Sequence, residues 1–200
     1  MAKRGLDIIG AISGLIILSP LFLLLAVVIK LISRGPVLFK QQRVGYKKQP
    51  FICFKFRTMK SDVDSKLHEQ HIKQLIAGGG PMNKIQKDPR VIPIVGHFMR
   101  KTSLDELPQL INVLFGNMSL VGPRPCLSYE VEMYSGPLMR RFDVLPGMTG
   151  LWQVSGKNKT TLDKMAGLDV IYVERCCFMT DIQILLKTLP VVVYQSLTKG

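Results

Sequence analysis

Ser103-Leu-Asp105-Glu106 sets two adjacent carboxylates at the head of an apolar run with helical spacing. A pair of this kind can cap a helix, hold a divalent cation, or supply a carboxylate that attacks phosphorus and forms an acyl-phosphate. Capping is the ordinary reading. Ser-x-x-Glu is a capping box, acids are favourable near a helix N-terminus, and Pro108 is tolerated in a first turn. The neighbours favour the chemical readings. Arg90, Arg100 and Lys101 precede the pair, and Gly122-Pro-Arg124-Pro125 follows it. That rigid, non-helical turn aims a guanidinium in a fixed direction, which suits bidentate phosphate binding. An acidic pair among arginines can hold a cation and meet a diphosphate.

The elements around this segment read as follows. Residues 37–44 and 51–59 are rich in β-branched and aromatic residues and flank Gly45-Tyr-Lys-Lys-Gln-Pro50, which predicts a β-hairpin. Lys55 and Arg57 are two apart on its second strand and so share a face; for two basic residues a solvated face is the ordinary reading. Residues 62–76 read as a polar helix, ended by Gly78-Gly-Gly-Pro81 and a loop to Asp88-Pro-Arg90. Residues 94–101 are a short helix. Residues 104–118 are a stronger one, with Leu107, Leu110, Ile111, Leu114 and Phe115 on a stripe that is either core or interfacial. Residues 161–175 and 181–196 read as helices, the last interrupted by Pro190.

Two hundred residues suit one domain and suffice for a core. The apolar fraction is 47%, with the excess near the N-terminus, and the net charge is +13. Such a charge prefers polyanions. Beside a long apolar segment the preferred partners are anionic membrane lipid and phosphorylated substrates, because basic residues at a bilayer surface gain roughly 1 kcal/mol each; nucleic acid is not expected. Cys53, Cys126, Cys176 and Cys177 form no Cys-x-x-Cys pair and do not group with His68, His71 and His97. They read as free thiols in a reducing compartment, not as a zinc site.

Residues 8–29 carry no charge. About 22 residues make a straight helix of about 33 Å, enough to cross a hydrocarbon core. A signal peptide would need a shorter apolar stretch and a small-x-small cleavage site, and here the run is bulky up to Lys30. Two features argue against a simple span. Ser19-Pro20 sits mid-run, where proline removes a backbone hydrogen bond and favours a kink. Lys3 and Arg4 precede the run, and Lys30, Arg34 and Lys40 follow it. Bases on both flanks satisfy the positive-inside rule only if both ends stay on the cytoplasmic side. A helix that enters, bends and returns does so, although proline kinks also occur in spanning helices.

The chain resembles the bacterial sugar transferase family, the monotopic phosphoglycosyl transferases. The resemblance rests on ordered motifs over nearly the whole length: Lys3-Arg-Gly-Leu-Asp7, Ser19-Pro20, Phe54-Lys-Phe-Arg-Thr-Met59, Asp88-Pro-Arg-Val91, Arg100-Lys-Thr-Ser-Leu-Asp-Glu-Leu-Pro-Gln-Leu110, Asn112-Val-Leu, Met118-Ser-Leu-Val-Gly-Pro-Arg-Pro125, Pro146-Gly-Met-Thr-Gly150 and Trp152-Gln-Val-Ser-Gly156. It is similar to the minimal catalytic unit, without the multi-span region of larger members. The resemblance implies an α+β fold, mostly helical and membrane-associated, with an N-terminal re-entrant membrane helix, interfacial amphipathic helices and a small β-hairpin. Residues 1–35 are the re-entrant hairpin and residues 36–200 the catalytic domain, one continuous functional unit at the cytoplasmic face of the bacterial inner membrane.

It also implies the chemistry. Asp105 attacks the β-phosphorus of a UDP-sugar, UMP leaves, and polyprenyl phosphate, in the form of undecaprenyl phosphate, takes the sugar phosphate. Glu106 is the partner carboxylate. Mg²⁺ is expected at Asp105. Lys55, Arg57, Arg90 and Arg124 are placed near phosphates and Gln153 near the substrate, with Ser19 and Pro20 at the membrane kink. A homo-oligomer is compatible with this picture. Two departures stand out. Leu145 occupies a position where a base often precedes Pro-Gly-x-Thr-Gly, with Arg140 and Arg141 as possible substitutes. Lys157 stands where arginine is common, keeping the charge and losing the fork. The Leu151-Trp-Gln-Val-Ser-Gly156 wording resembles members that handle galactose or glucose. Two other classes fit the charge and the apolar segment: a membrane-anchored basic binding protein, and a membrane phosphohydrolase with water as acceptor.

Overall fold

The computed structural model describes residues 2–60, 88–156 and 161–198. The polar helix expected over 62–76, the loop beginning at Gly78, His68, His71 and Lys157 lie outside the described residues. The fold is mostly helical, 61%, with few strands, in keeping with the expected α+β class.

The apolar segment forms two helices, α1 (Ala2–Ile17) and α2 (Ser19–Ile32), bent by 60°. The cause is local. Pro20 has no N–H to donate to the Ile16 carbonyl, and the Ser19 hydroxyl donates to it instead at 2.8 Å. Among the described residues no single helix is long and apolar enough to cross a membrane; the bent pair together meets that test.

Both ends of the pair are tied to the rest of the chain. Lys3 donates to the Val121 carbonyl (3.0 Å), the Tyr172 hydroxyl (3.1 Å) and Asp181 (2.7 Å). Arg4 donates to the carbonyls of Val113 and Leu114, which lie at a helix C-terminus, and Asp7 accepts from Ser119 and from the Leu120 N–H. At the far end Arg57 donates to the Ser33 and Arg34 carbonyls. Lys3 and Arg4 are thus structural anchors as well as charges flanking the apolar run.

The hairpin pairs β1 (Leu38–Val44) with β2 (Pro50–Phe56), antiparallel, with Leu38 opposite Phe56 and Val44 opposite Pro50. The outer edge of β2 is completed by a side chain. Asn112, fully buried, accepts from the Phe54 N–H at 2.9 Å and donates to the Ile52 carbonyl at 2.6 Å. Asn112→Leu strands both strand groups, and each buried orphan costs ~1–3 kcal/mol. A loss of ~3 kcal/mol in urea unfolding of the detergent-solubilised protein is expected. An unchanged midpoint would mean that this edge is not held by Asn112.

Helix α3 (Val95–Thr102) is followed by a 3₁₀ turn (Leu104–Glu106) and α4 (Gln109–Phe115). The single helix expected over 104–118 is therefore split, and Ser103 makes no cap. Ser103 has φ +59°, a left-handed conformation, whereas a capping residue needs an extended one. Pro108 cannot donate to the Leu104 carbonyl, which takes the Leu107 N–H at 3.3 Å instead, so the turn closes as 3₁₀.

A second, unanticipated sheet pairs β3 (Ser119–Val121) with β4 (Gly147–Thr149) in parallel. The chain between them carries α5 (Ser128–Val131) and a 3₁₀ stretch (Gly136–Asp143). Gly122 and Gly147 bring the Gly-Pro-Arg-Pro and Pro-Gly-Met-Thr-Gly turns into backbone contact; a Cβ on Gly147 would collide with the Gly122 backbone. Then come α6 (Leu151–Val154), α7 (Leu162–Arg175), capped by Thr161, and α8 (Phe178–Thr198). Helix α8 starts earlier than expected and runs through Pro190 without interruption.

The core is divided. One cluster joins the end of β1, Trp152 and α7; another joins Ala11 of α1 to α4; a third joins α2 to Phe56 and Met99. Large apolar side chains stay exposed on α1 (Ile9, Ile16), α2 (Leu23, Leu24, Leu31) and α8 (Leu186, Leu189, Val193). Those on α8 are three and four apart and form one stripe.

Candidate active site

Four separate segments meet at a hollow of about 100 Å³ lined by Arg43, Lys55, Glu106, Gln109, Arg124, Pro125, Met148, Trp152 and Gln153. The hairpin delivers Arg43 and Lys55, the 3₁₀ turn Glu106, the Gly-Pro-Arg-Pro turn Arg124, and the β4–α6 segment the opposite wall. Three cations thus face one small space that also holds a carboxylate, an arrangement suited to a diphosphate.

Lys55 donates to Glu106 at 2.9 Å, both side chains being partly exposed. Asp105 is on the same turn, 8% exposed, and lines neither this hollow nor the adjoining one. Gln153 lines both. Lys55, Glu106, Arg124 and Gln153 are therefore brought together, with Asp105 next to Glu106 in sequence.

Arg57 and Arg90 line neither hollow. β2 ends at Phe56, so the shared face expected for Lys55 and Arg57 is lost one residue early, and Arg57 turns to the carbonyls at the end of α2. Arg90 grips Asp88 at 2.8 and 2.7 Å. The Arg90 hydrogen bonds hold the Asp88 carboxyl below its ordinary range, and Arg100 adds to this. The bases considered as substitutes beside Leu145 are engaged elsewhere: Arg140 with Glu174 at 2.6 Å, Arg141 with Asp169 at 2.7 Å.

Arg124 is held by a buried network that sequence reasoning missed. Glu130, fully buried, accepts from Arg124 at 3.1 and 3.3 Å and from the Leu127 N–H at 2.7 Å. Arg141 donates to both the Arg124 carbonyl (2.9 Å) and Asp169, and its guanidinium lies 4.3 Å from the centre of the Tyr134 ring. Arg43 donates to the Pro125 carbonyl at 3.2 Å and to Gln41. Burial works against the charge of Arg124, yet Glu130 outweighs it and holds the guanidinium above its ordinary range. Burial, then Arg124, lower Arg43. Burial pushes the Asp169 carboxyl up to about 7, against the pull of Arg141. The signal for Arg43 was its two-residue spacing from Gln41 on one strand face; Glu130 and Asp169 carried none.

Residues 1–195 match the family described as bacterial sugar transferase. The chain belongs to that family. As a bacterial sugar transferase it is 40% identical over 194 residues to the exopolysaccharide production protein ExoY of Rhizobium meliloti, covering 96% of this chain and 85% of that protein. It is 45% identical over 192 residues to the undecaprenyl-phosphate galactose phosphotransferase of Salmonella typhimurium, covering 95% and 40%. It is 40% identical over 196 residues to the UDP-glucose:undecaprenyl-phosphate glucose-1-phosphate transferase of Escherichia coli, covering 94% and 39%. The chain thus spans most of the first relative and about two fifths of the other two.

Proposed function

We propose that the chain is a phosphoglycosyl transferase that moves a hexose-1-phosphate from a UDP-sugar to undecaprenyl (polyprenyl) phosphate, releasing UMP, as the first membrane step of glycan assembly. The observation that carries this reading is the convergence of Arg43, Lys55 and Arg124 with Glu106 on one hollow, one residue from Asp105. Relatives named for UDP-glucose, galactose and undecaprenyl phosphate support the substrates.

Two displacements at phosphorus make up the reaction. First an Asp105 oxygen bonds to the β-phosphorus while the bond to the bridging oxygen breaks; UMP takes that oxygen and its electron pair, and the sugar phosphate stays on the enzyme as an acyl-phosphate. Then an oxygen of the lipid phosphate bonds to the same phosphorus, the Asp105 carboxylate leaves, and a lipid-linked diphosphate sugar is formed. The three cations offset the repulsion between a carboxylate and a charged phosphate and stabilise the departing UMP. Glu106, bonded to Lys55, keeps that ammonium aimed into the hollow.

Mg²⁺ is the proposed cofactor. No group of three or more His, Cys, Asp or Glu side chains among the described residues could hold a metal ion. Mg²⁺ takes one or two carboxylates and fills its shell with phosphate oxygens and water, and Asp105 beside Glu106 fits that donor set. When bound it supplies positive charge against the diphosphate.

The α1–α2 pair is the proposed re-entrant element, holding the site at the cytoplasmic face of the bacterial inner membrane. Its support is the 60° bend, the anchoring of both ends to one body, and the apolar side chains left exposed on α1, α2 and α8.

The test is UMP release by the purified enzyme in nanodiscs with UDP-galactose, UDP-glucose and an acetamido UDP-sugar, with and without undecaprenyl phosphate. Sustained release with a hexose donor, only when the lipid is present, and recovery of a lipid-linked diphosphate sugar are expected. Continuous release without lipid would make the chain a hydrolase; no release with any donor would leave a binding protein.

A further inference from the structure

Beside the cationic hollow lies a second space, about 220 Å³, between the 3₁₀ turn, β4 and α8. Leu107, Leu120, Met148, Leu185, Val191 and Val192 form its walls. Its polar residues fall into two sets. Ser103, Glu106 and Gln153 belong to the turn and to α6, on the side of the cationic hollow. Thr149 and Thr188 are hydrogen-bonded to each other at 2.8 Å, and Thr188 is within 2.7 Å of the Ile184 carbonyl, so neither hydroxyl calls for a polar ligand. Away from Ser103, Glu106 and Gln153, a nucleoside, rich in donors and acceptors, would find no polar partner there.

The two spaces adjoin: Glu106, Met148 and Gln153 line both. On the far side the wall is α8, whose outer stripe of Leu186, Leu189 and Val193 is exposed and apolar. A cationic hollow, an apolar groove and an apolar outer face therefore follow one another in space. A ligand with a phosphate head and a hydrocarbon tail matches that order.

We propose that this groove takes the first isoprene units of the acceptor lipid, with the phosphate in the cationic hollow and the rest of the chain leaving along α8. The assignment rests on the transferase reading above. It makes Leu185 and Val191, which line the groove and not the cationic hollow, determinants of acceptor recognition. It also gives α8 a function beyond packing, as the wall that delivers the lipid head to the Asp105–Glu106 turn.

The experiment is photocrosslinking with a prenyl phosphate bearing a benzophenone in place of its second isoprene unit, followed by peptide mapping on the nanodisc-embedded enzyme. Adducts on Met148 or on α8 between Leu185 and Val192, removed by excess undecaprenyl phosphate, are expected. Adducts confined to α1 or α2, or none, overturn the assignment. Kinetics give an independent arm. Leu185→Trp and Val191→Trp fill the groove and are expected to raise KM for undecaprenyl phosphate about tenfold or more, with a smaller effect on KM for the UDP-sugar. An equal rise in both constants, or in neither, counts against the groove. Turnover by the unaltered enzyme in the same assay separates the two readings: if it is present and the groove results are negative, only the groove assignment fails.

Discussion

Replacing Asp105 by asparagine is expected to lower turnover by about 10³-fold or more, the scale on which removal of a covalent nucleophile acts. The amide has the size and shape of the carboxylate and nearly none of its nucleophilicity toward phosphorus. A side chain that is 8% exposed on a tight 3₁₀ turn has little room to be replaced by water or by a neighbouring group. Glu106→Gln is the informative comparison. It removes the charge bonded to Lys55 at 2.9 Å and disturbs the aim of that ammonium, yet leaves the attacking atom in place. Its loss should be in the range of a positioned charge or proton-transfer group, about 10²–10⁴-fold. Incubation with a radiolabelled UDP-sugar, quenching and gel separation should show label on the unaltered protein and on Glu106→Gln, and none on Asp105→Asn. Normal turnover in Asp105→Asn would falsify the nucleophile assignment and return the residue to a structural role.

What could be read from the sequence was local. The kink at Ser19-Pro20 follows from a missing N–H, and the hairpin from strand-forming residues around a turn. Helix α7 lies within the helical segment read over residues 161–175. What could not be read depends on contacts distant in the chain. Strands β3 and β4 are three residues each and pair across a connection holding α5 and a 3₁₀ stretch, so neither carries an alternation long enough to detect. Ser103 has the right type for a cap and the wrong backbone, because Pro108 ties the following turn into a 3₁₀ bend. Alternation put Lys55 and Arg57 on one face, but a two-residue period holds only while the strand lasts, so Lys55 lines the hollow and Arg57 does not. Gly-Pro-Arg-Pro was legible as a rigid turn carrying an arginine, but nothing in it reveals that Glu130, Arg141 and Asp169 hold it. Their pairing depends on burial, which a list of residues does not record.

That buried network yields the largest expected effect on stability. Glu130 is fully enclosed, bonded to Arg124 twice and to the Leu127 N–H, with Arg43 close enough to act on its charge. Glu130→Gln keeps the volume and can keep an acceptor for Leu127, but it removes the only charge of the trio opposed to the two arginines. Breaking a buried ionic group by removing one partner costs about 3–5 kcal/mol, because the charges left behind remain desolvated. For a chain of this size that corresponds to a fall in Tm of about 10 °C. The consequence reaches the site, since Arg124 loses its anchor and lies beside the like charge of Arg43; KM for the UDP-sugar should rise along with the loss of stability. The pH dependence separates this from a packing defect. Burial raises the Glu130 carboxyl, but Arg124 and Arg43 outweigh it and hold the group below its ordinary value of 4.5. The stabilisation is therefore present above about pH 4.5 and is lost as the pH falls through the lower folded value. Thermal melts of the two proteins should differ most near neutral pH and converge in acid. A gap that stays constant down to the acid limit would mean that Glu130 contributes by shape alone and that its charge does not hold Arg124 at the site.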